Sequence, residues 1–171
     1  MVMQKTETQR NFVAFALGIV GVTVMMLTLM KSQFVIGDLW NPAAHQQRSL
    51  DLVLFNGFVD APVWYGPWVN SVGNVLLFLP VGALVQDLLQ RSSRHPVLWA
   101  ILIGFTASLG IEVAQFVFAV GYSDVDDLLL NTVGAALGAW WAARTGSRSR
   151  RVFTIVAVAG CLAVLTAMTV G

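Results

Sequence analysis

Five long apolar stretches, separated by short polar segments, set the pattern of the chain. Each is close to the length of about 20 apolar residues that a helix needs to cross a bilayer. The five together contain two charged residues, Asp87 and Glu112. The pattern predicts an all-α membrane protein, a polytopic bundle of five transmembrane helices. The predicted spans are residues 12–30, 69–89, 97–120, 128–143 and 152–170, the fourth being the shortest and able to begin a turn earlier.

Composition removes the main alternative, a water-soluble domain. Hydrophobic residues make up 57% of the 171 residues and charged residues 11%, whereas a soluble domain carries about 25% charged residues. The mean hydropathy of +0.73 agrees. The single cysteine, Cys161, cannot form an internal disulfide. The first span is too long for a signal peptide and lacks a small-x-small cleavage pattern, so we expect a retained helix.

The basic residues predict the orientation of the bundle, because Lys and Arg in short loops stay on the cytoplasmic side. With the N-terminus inside, eight of the ten basic residues fall in inner segments, and only Lys31 and Arg48 fall in outer ones. This distribution predicts an N-in, C-out topology. The inner basic residues are Lys5, Arg10, Arg91, Arg94, Arg144, Arg148, Arg150 and Arg151.

The long connection between the first two spans, residues 32–68, is then extracytoplasmic. Its apolar run, residues 52–59, is too short to span a bilayer, and a segment rich in Pro and Trp follows it. We expect a re-entrant or interfacial element over the outer mouth of the bundle.

Polar side chains inside the spans gather in the outer half. At 1.5 Å per residue, Glu112 lies about 12 Å and Asn131 about 6 Å below the outer ends of their helices. Such residues are costly in lipid, so they predict a one-sided outer-leaflet pocket. The predicted ligand-binding residues are Asn74, Glu112, Gln115, Asp126, Asp127 and Asn131.

A structural interpretation of these residues stays open. Asn74 and Gln115 can bond between helices, and Asp124 can belong to a solvated helix N-terminus. Glu112 is the strongest functional candidate, because a carboxylate at that depth needs a partner, a proton or a metal. The nearest basic residues on the same side are Arg48, His45 and Lys31, and a contact between Arg48 and Glu112 is conceivable.

Small residues predict where helices approach closely. Gly134 and Gly138 form a small-xxx-small pattern, and the third span offers either Gly104 with Ser108 or Thr106 with Gly110. We expect the third and fourth helices to pack within one chain rather than to dimerise. Such packing would bring Glu112 and Asn131 together.

The sequence lacks the residue patterns that several kinds of metal, catalytic and phosphate-binding site require. The sequence holds no Cys/His cluster, no Ser-His-Asp set at one depth and no Gly-rich phosphate loop. We therefore expect no cofactor and no metal site. Nucleic-acid binding has no support either, because the only basic cluster is the short run at residues 144–151, which fits a topogenic loop. A transporter is disfavoured because polar residues do not continue through the inner half.

Three motifs carry a family resemblance: NVLLFLPVGALV at residues 74–85, IEVAQ at 111–115 and SDVDDLLLNTVGAALG at 123–138. In this order they resemble the VanZ-like family of small bacterial membrane proteins. The resemblance implies a four-helix membrane core over residues 10–143, with residues 152–170 as an additional C-terminal transmembrane helix. Besides the six predicted ligand-binding residues, the matching positions, with an implied structural role, are Phe78, Pro80, Gly82, Gly134 and Gly138.

The resemblance implies a role in low-level resistance to lipoglycopeptide antibiotics of the teicoplanin type, in the cytoplasmic membrane. The chain departs from the family pattern at Asp51 to Phe55, which lacks a proline, and at Gly121 and Tyr122, where a basic residue is common.

Two hypotheses of function follow. The leading one is a non-catalytic protein that binds a membrane lipid, a lipid-linked cell-wall precursor or the lipid tail of an antibiotic. The alternative is a membrane enzyme in which Glu112 is a general base or metal ligand beside Asp126 and Asp127.

Overall fold

The computed structural model describes residues 2–29, 49–59, 63–119 and 122–170. Lys31, His45 and Arg48 lie outside these ranges, so the conceivable contact of Arg48 with Glu112 stays a prediction. The described elements are α1 (Val2–Leu29), β1 (Ser49–Asp51), a short 3-10 helix (Asn56–Phe58), α2 (Gly66–Leu89), α3 (Pro96–Phe118), β2 (Tyr122–Asp124), α4 (Val125–Arg144) and α5 (Ser147–Val170).

Four of the five helices are long and apolar enough to cross a membrane, judged over the described residues: α1, α2, α3 and α5. The five predicted helices are all present, but α4 does not meet that criterion. It has 20 residues, acidic side chains in its first turn and Arg144 in its last, and it begins at Val125, a turn before the predicted start. The helices fit an all-α membrane protein, while a fifth span and the N-in, C-out orientation stay predictions.

Local sequence explains where the helices begin. Pro67 and Pro96 occupy the first turns of α2 and α3, where a missing N–H costs nothing. Asp124 caps α4, its carboxylate accepting the backbone N–H of Asp126 at 2.8 Å. Within α2, Pro80 cannot donate a hydrogen bond to the preceding turn.

Helix α4 packs most extensively against α2, which corrects the expected partner of its small-residue pattern. A Cβ on any of three glycines would come closer than 3.0 Å to backbone of the opposite helix, which real Cβ atoms essentially never do. The pattern of Gly134 and Gly138 therefore brings α4 against α2, not α3. The close approaches are Gly82 to Ala135, Gly134 to Val75 and Gly138 to Leu79.

The contact between α3 and α4 uses one of the two small-residue pairs that were considered. Gly104 lies against the side chain of Ala135, and Ser108 accepts a hydrogen bond from Asn131 at 2.9 Å. Thr106 is exposed, and a Cβ on Gly110 would meet nothing within 4 Å. The Gly104 and Ser108 face thus packs inward, and the other face points away from the described helices.

Two three-residue strands that the hydrophobic pattern did not predict close the end of the bundle where α1 and α3 finish and α2 and α4 begin. We call this the cap end. Strand β1 pairs with β2 in parallel, with Leu50 opposite Ser123 and Asp51 opposite Asp124. Because β2 leads directly into α4, the pairing fixes the segment before α2 to the start of α4.

The apolar core lies between α1, α2, α3 and α4 and includes Val20, Phe78, Ala100 and Ala139. Helix α5 contacts α1 and α2 but buries little of its own surface. An apolar helix with so much exposed surface suits a lipid environment.

Candidate functional site at the cap end

The six predicted ligand-binding residues lie at the cap end and are all buried, with exposed fractions of 2–8%. They come from α2, α3 and α4, and each takes part in a hydrogen bond to another element. We call them the polar cluster: Asn74, Glu112, Gln115, Asp126, Asp127 and Asn131.

Asp127 joins α4 to α2. One of its carboxylate oxygens accepts the side-chain amide N–H of Asn70 at 2.8 Å, and the same oxygen accepts that of Asn74. Asn70 and Asn74 are one helical turn apart, so both amides reach the same point. Bonds to a charged acceptor are stronger than neutral ones, and this pair holds the ends of the two helices where the glycines allow close approach.

Asp126 binds the turn that follows β1. Its two carboxylate oxygens accept the backbone N–H of Phe55, at 3.0 and 2.8 Å. Phe55 has a φ of 58°, in the left-handed region that side chains rarely adopt. A strain of about 1–3 kcal/mol is typical of such a residue, and the charge-assisted bonds to Asp126 offset it.

Glu112 positions the start of α4. Its Oε2 accepts the backbone N–H of Asp124 at 2.8 Å, the residue whose own carboxylate caps that helix. The pKa of Asp124 is raised to about 6, chiefly by burial and to a smaller extent by the charges of Asp127, Asp126 and Asp51, while the capping hydrogen bond from the backbone of Asp126 opposes the rise. The carboxylate of Glu112 thus accepts a hydrogen bond from the backbone at the start of α4 and holds that end of the helix in place.

The two remaining amides bond between helices. Gln115 donates to the backbone carbonyl of Thr28 at 3.1 Å and ties α3 to α1. Asn131 donates to Ser108, one turn before Glu112 on α3. Among the described residues, the side-chain carbonyl oxygens of Gln115 and Asn131 are buried without a hydrogen-bond donor. These two acceptors are the places where the cluster has capacity left.

The carboxylates of the cap end accept hydrogen bonds from backbone and side-chain N–H donors. Over the described residues, no three His, Cys, Asp or Glu side chains are arranged to hold a metal ion. Asp51 follows the same pattern, accepting from the backbone of Val53 and the side chain of Asn56, and these bonds lower its pKa. The described arrangement favours an architectural role for these acids.

Above the polar cluster, residues 52–59 form what we call the apolar turn. Its large side chains are exposed, as are Trp64 and Trp68 near the start of α2. Phe58 packs edge-on against Trp68, with ring centroids 5.1 Å apart. The apolar run was visible in the sequence, but its attachment to Asp126 was not, because the two partners are 71 residues apart.

Sequence reasoning missed one further contact, at the opposite end of the bundle. Arg150 forms an ion pair with Asp87, with 2.7 Å between Nε and Oδ1. The signal was present, since Asp87 is the only acid near the inner end of its span and a basic run follows α4. The basic run thus also contributes to packing.

These features are those of a helical protein with four helices suited to cross a membrane and a buried polar cluster beneath an apolar turn. The VanZ/LLP1 family model matches residues 17–146, a range that includes the whole polar cluster. Protein VanZ of Enterococcus faecium is 33% identical over 117 residues, which cover 68% of this chain and 65% of that protein. The chain belongs to the VanZ/LLP1 family, and the resemblance of its motifs is confirmed. No solved structure matches.

Proposed function

We propose that this protein is a non-catalytic component of the bacterial cell envelope associated with resistance to teicoplanin-type lipoglycopeptides. It resides in the cytoplasmic membrane with its cap end outward and binds a lipid-linked envelope molecule or a lipid tail there. The family supports the association with resistance, and the outward orientation follows from the distribution of basic residues.

The observation that carries the binding role is the exposed apolar turn on a fixed base. Contiguous exposed apolar side chains mark interaction sites, and this turn presents Leu52, Leu54 and Val59, with Phe58 packed against the exposed Trp68. Aromatic side chains of this kind favour the interface between headgroups and hydrocarbon. A turn in this position can contact the acyl or prenyl chain of a lipid.

The polar cluster holds the apolar turn in a fixed position on the helices. Its bonds join α1 to α3, α3 to α4, and α2 to α4, and Asp126 seats the turn on the last of these helices. The side-chain carbonyl oxygens of Gln115 and Asn131 are buried, so a water molecule inside the bundle is the donor that suits them. Because the turn is already fixed before binding, less conformational entropy is lost when a ligand binds.

The enzyme alternative is less well supported by the geometry. Glu112 is 5% exposed and holds the backbone of Asp124, so a substrate would have to displace that contact. Glu112→Gln separates the two functions: with protein levels matched, an enzyme loses its product, whereas a binding protein keeps its lipid.

Photocrosslinking in bacterial membranes tests the binding role. A photoreactive amino acid at position 64 is suitable because Trp64 is 80% exposed, whereas Asn74 is buried. The matched control is position 99, since Trp99 is also an exposed tryptophan but lies at the other end of the bundle. We expect capture of a lipid-linked envelope species from position 64 alone. Equal capture of bulk phospholipid from both positions would refute the proposed function.

A further inference from the structure

A second candidate site lies at the end of the bundle away from the polar cluster. There, a cavity of about 290 Å³ opens between α1, the last turn of α2 and the first turn of α5. This volume corresponds to roughly ten water molecules at about 30 Å³ each. Its charged and polar lining includes Arg10, Asp87, Gln90, Arg91, Ser147 and Arg150.

The acid in this lining is neutralised by one of the arginines. Asp87 pairs with Arg150 at 2.7 Å, and the two side chains are 6% and 15% exposed. Gln90 also donates its side-chain amide to Asp87. Arg150 is further held by the backbone carbonyls of Ala142 and Thr145, at 3.2 and 2.5 Å. This ion pair forms a fixed wall of the cavity with no net charge.

The other two arginines provide an uncompensated positive charge. Arg10 and Arg91 are exposed, and within the described residues neither has a salt bridge or a side-chain hydrogen bond. They come from different helices and line the same cavity. Ser147, the first residue of α5, also lines it, so the positive end of that helix dipole adds to their field.

We propose that this cavity binds a phosphate group, carried by an anionic phospholipid of the adjacent leaflet or by free phosphate. Guanidinium groups match phosphate oxygens with two parallel hydrogen bonds, and Arg10 and Arg91 are placed to supply them from two sides. Basic pockets between transmembrane helices on the cytoplasmic side are suited to lipid headgroups. The site is separate from the apolar turn and stands whether or not the cap end binds a lipid.

Native mass spectrometry of the detergent-purified protein tests this site, with phosphatidylglycerol, phosphatidylcholine and inorganic phosphate as probes. We expect preferential retention of phosphatidylglycerol over phosphatidylcholine. Arg10→Gln and Arg91→Gln should each weaken it about fivefold. The matched control is Arg94→Gln, because Arg94 is exposed in the same connection but does not line the cavity; it should bind as the unsubstituted protein does.

A competition experiment between phosphatidylglycerol and inorganic phosphate identifies the source of the bound phosphate group. Displacement of phosphatidylglycerol by millimolar inorganic phosphate identifies a site for the free anion, and resistance to displacement identifies a lipid site; both support a phosphate pocket. Equal retention of the two lipids overturns the proposal, as does an equal loss of binding in Arg94→Gln and Arg91→Gln. Thermal unfolding of each variant shows that exposed substitutions leave the fold intact.

Discussion

Gly138→Ala tests the central packing contact of the bundle, between α2 and α4. A Cβ at this position would lie 2.9 Å from the carbonyl carbon of Leu79, 3.0 Å from the backbone nitrogen of Ala83, and closer still to the Leu79 oxygen. Ordinary contacts begin near 3.4 Å. Because the obstacle is helix backbone, no side chain can rotate away, and the two helices must separate by more than an ångström.

The expected cost combines two effects. Overpacking of a tight interface costs about 1–3 kcal/mol, and a backbone obstacle places this variant near about 3 kcal/mol. Replacing Gly by Ala within a helix returns roughly 0.5–1 kcal/mol. The net loss in the free energy of unfolding is therefore about 2 kcal/mol, which corresponds to a fall of roughly 4–8 °C in Tm.

Thermal unfolding of the purified protein in detergent measures this fall. Gly110→Ala is the matched control, because Gly110 is also helical but a Cβ there meets nothing within 4 Å. It should leave Tm unchanged or raise it slightly. A Gly138→Ala protein as stable as Gly110→Ala would show that α4 does not pack against α2 in this way.

Three further substitutions test polar contacts. Asp127→Ala removes the acceptor shared by two amides of α2 and should lower stability by about 2 kcal/mol, measured by unfolding in detergent. Arg150→Gln leaves Asp87 buried without its cation and should cost about 3–5 kcal/mol, with part of the loss restored by adding Asp87→Asn. For Asp124→Asn, Tm is compared with that of the unsubstituted protein between pH 4 and pH 7. The folded pKa of about 6 exceeds the ordinary value of 3.8, so the native state binds more protons and stability falls as pH rises through this range. The substitution keeps the helix cap and should remove that fall.

Each of these expectations has a specific contrary result. An Asp127→Ala protein that unfolds like the unsubstituted one would mean that the amides of α2 find other acceptors. Additive losses in the Arg150 and Asp87 double variant would mean that the two residues do not interact. A difference in Tm between Asp124→Asn and the unsubstituted protein that stays constant with pH would place the Asp124 carboxyl in water.

The presence of the helices was predictable from the sequence, because an apolar stretch of about 20 residues is long enough to cross a bilayer as a helix. The predicted ends of the second span and the start of the third lie within a few residues of those of α2 and α3. The apolar run set the start of the fourth span at residue 128, with a start one turn earlier left open, and α4 begins at Val125 with Asp126 and Asp127 in its first turn. Acidic residues are favourable there, since the helix N-terminus carries a partial positive charge.

Packing partners were less predictable than helices. A small-residue pattern shows that a helix approaches something closely, but it does not say which helix, and Gly134 met α2 rather than α3. The strand pairing of β1 with β2 and the bond from Phe55 to Asp126 join segments about 70 residues apart. Such contacts follow from the assembled bundle, so no local spacing indicates them.

The polar cluster shows both the strength and the limit of sequence reasoning. Depth along the helices predicted that its members share one end of the bundle, and the structure places all six there. Depth along the helices could not predict which side chains bond to each other. Asn74 donates to Asp127, and Asn131 donates to Ser108 instead of contacting Glu112. These hydrogen bonds give the acids a supporting role beneath the apolar turn.

The central claim is that Asp126 holds the apolar turn in place to bind a lipid-linked molecule. The most direct measurement is the yield of lipid-linked species captured by a photoreactive residue at position 64, with and without Asp126→Ala. The charge-assisted hydrogen bond that the N–H of Phe55 shares between the two carboxylate oxygens is lost, so capture should fall about tenfold at unchanged protein level. Capture that is unaffected by Asp126→Ala, or no capture from position 64 in the unsubstituted protein, would contradict the claim.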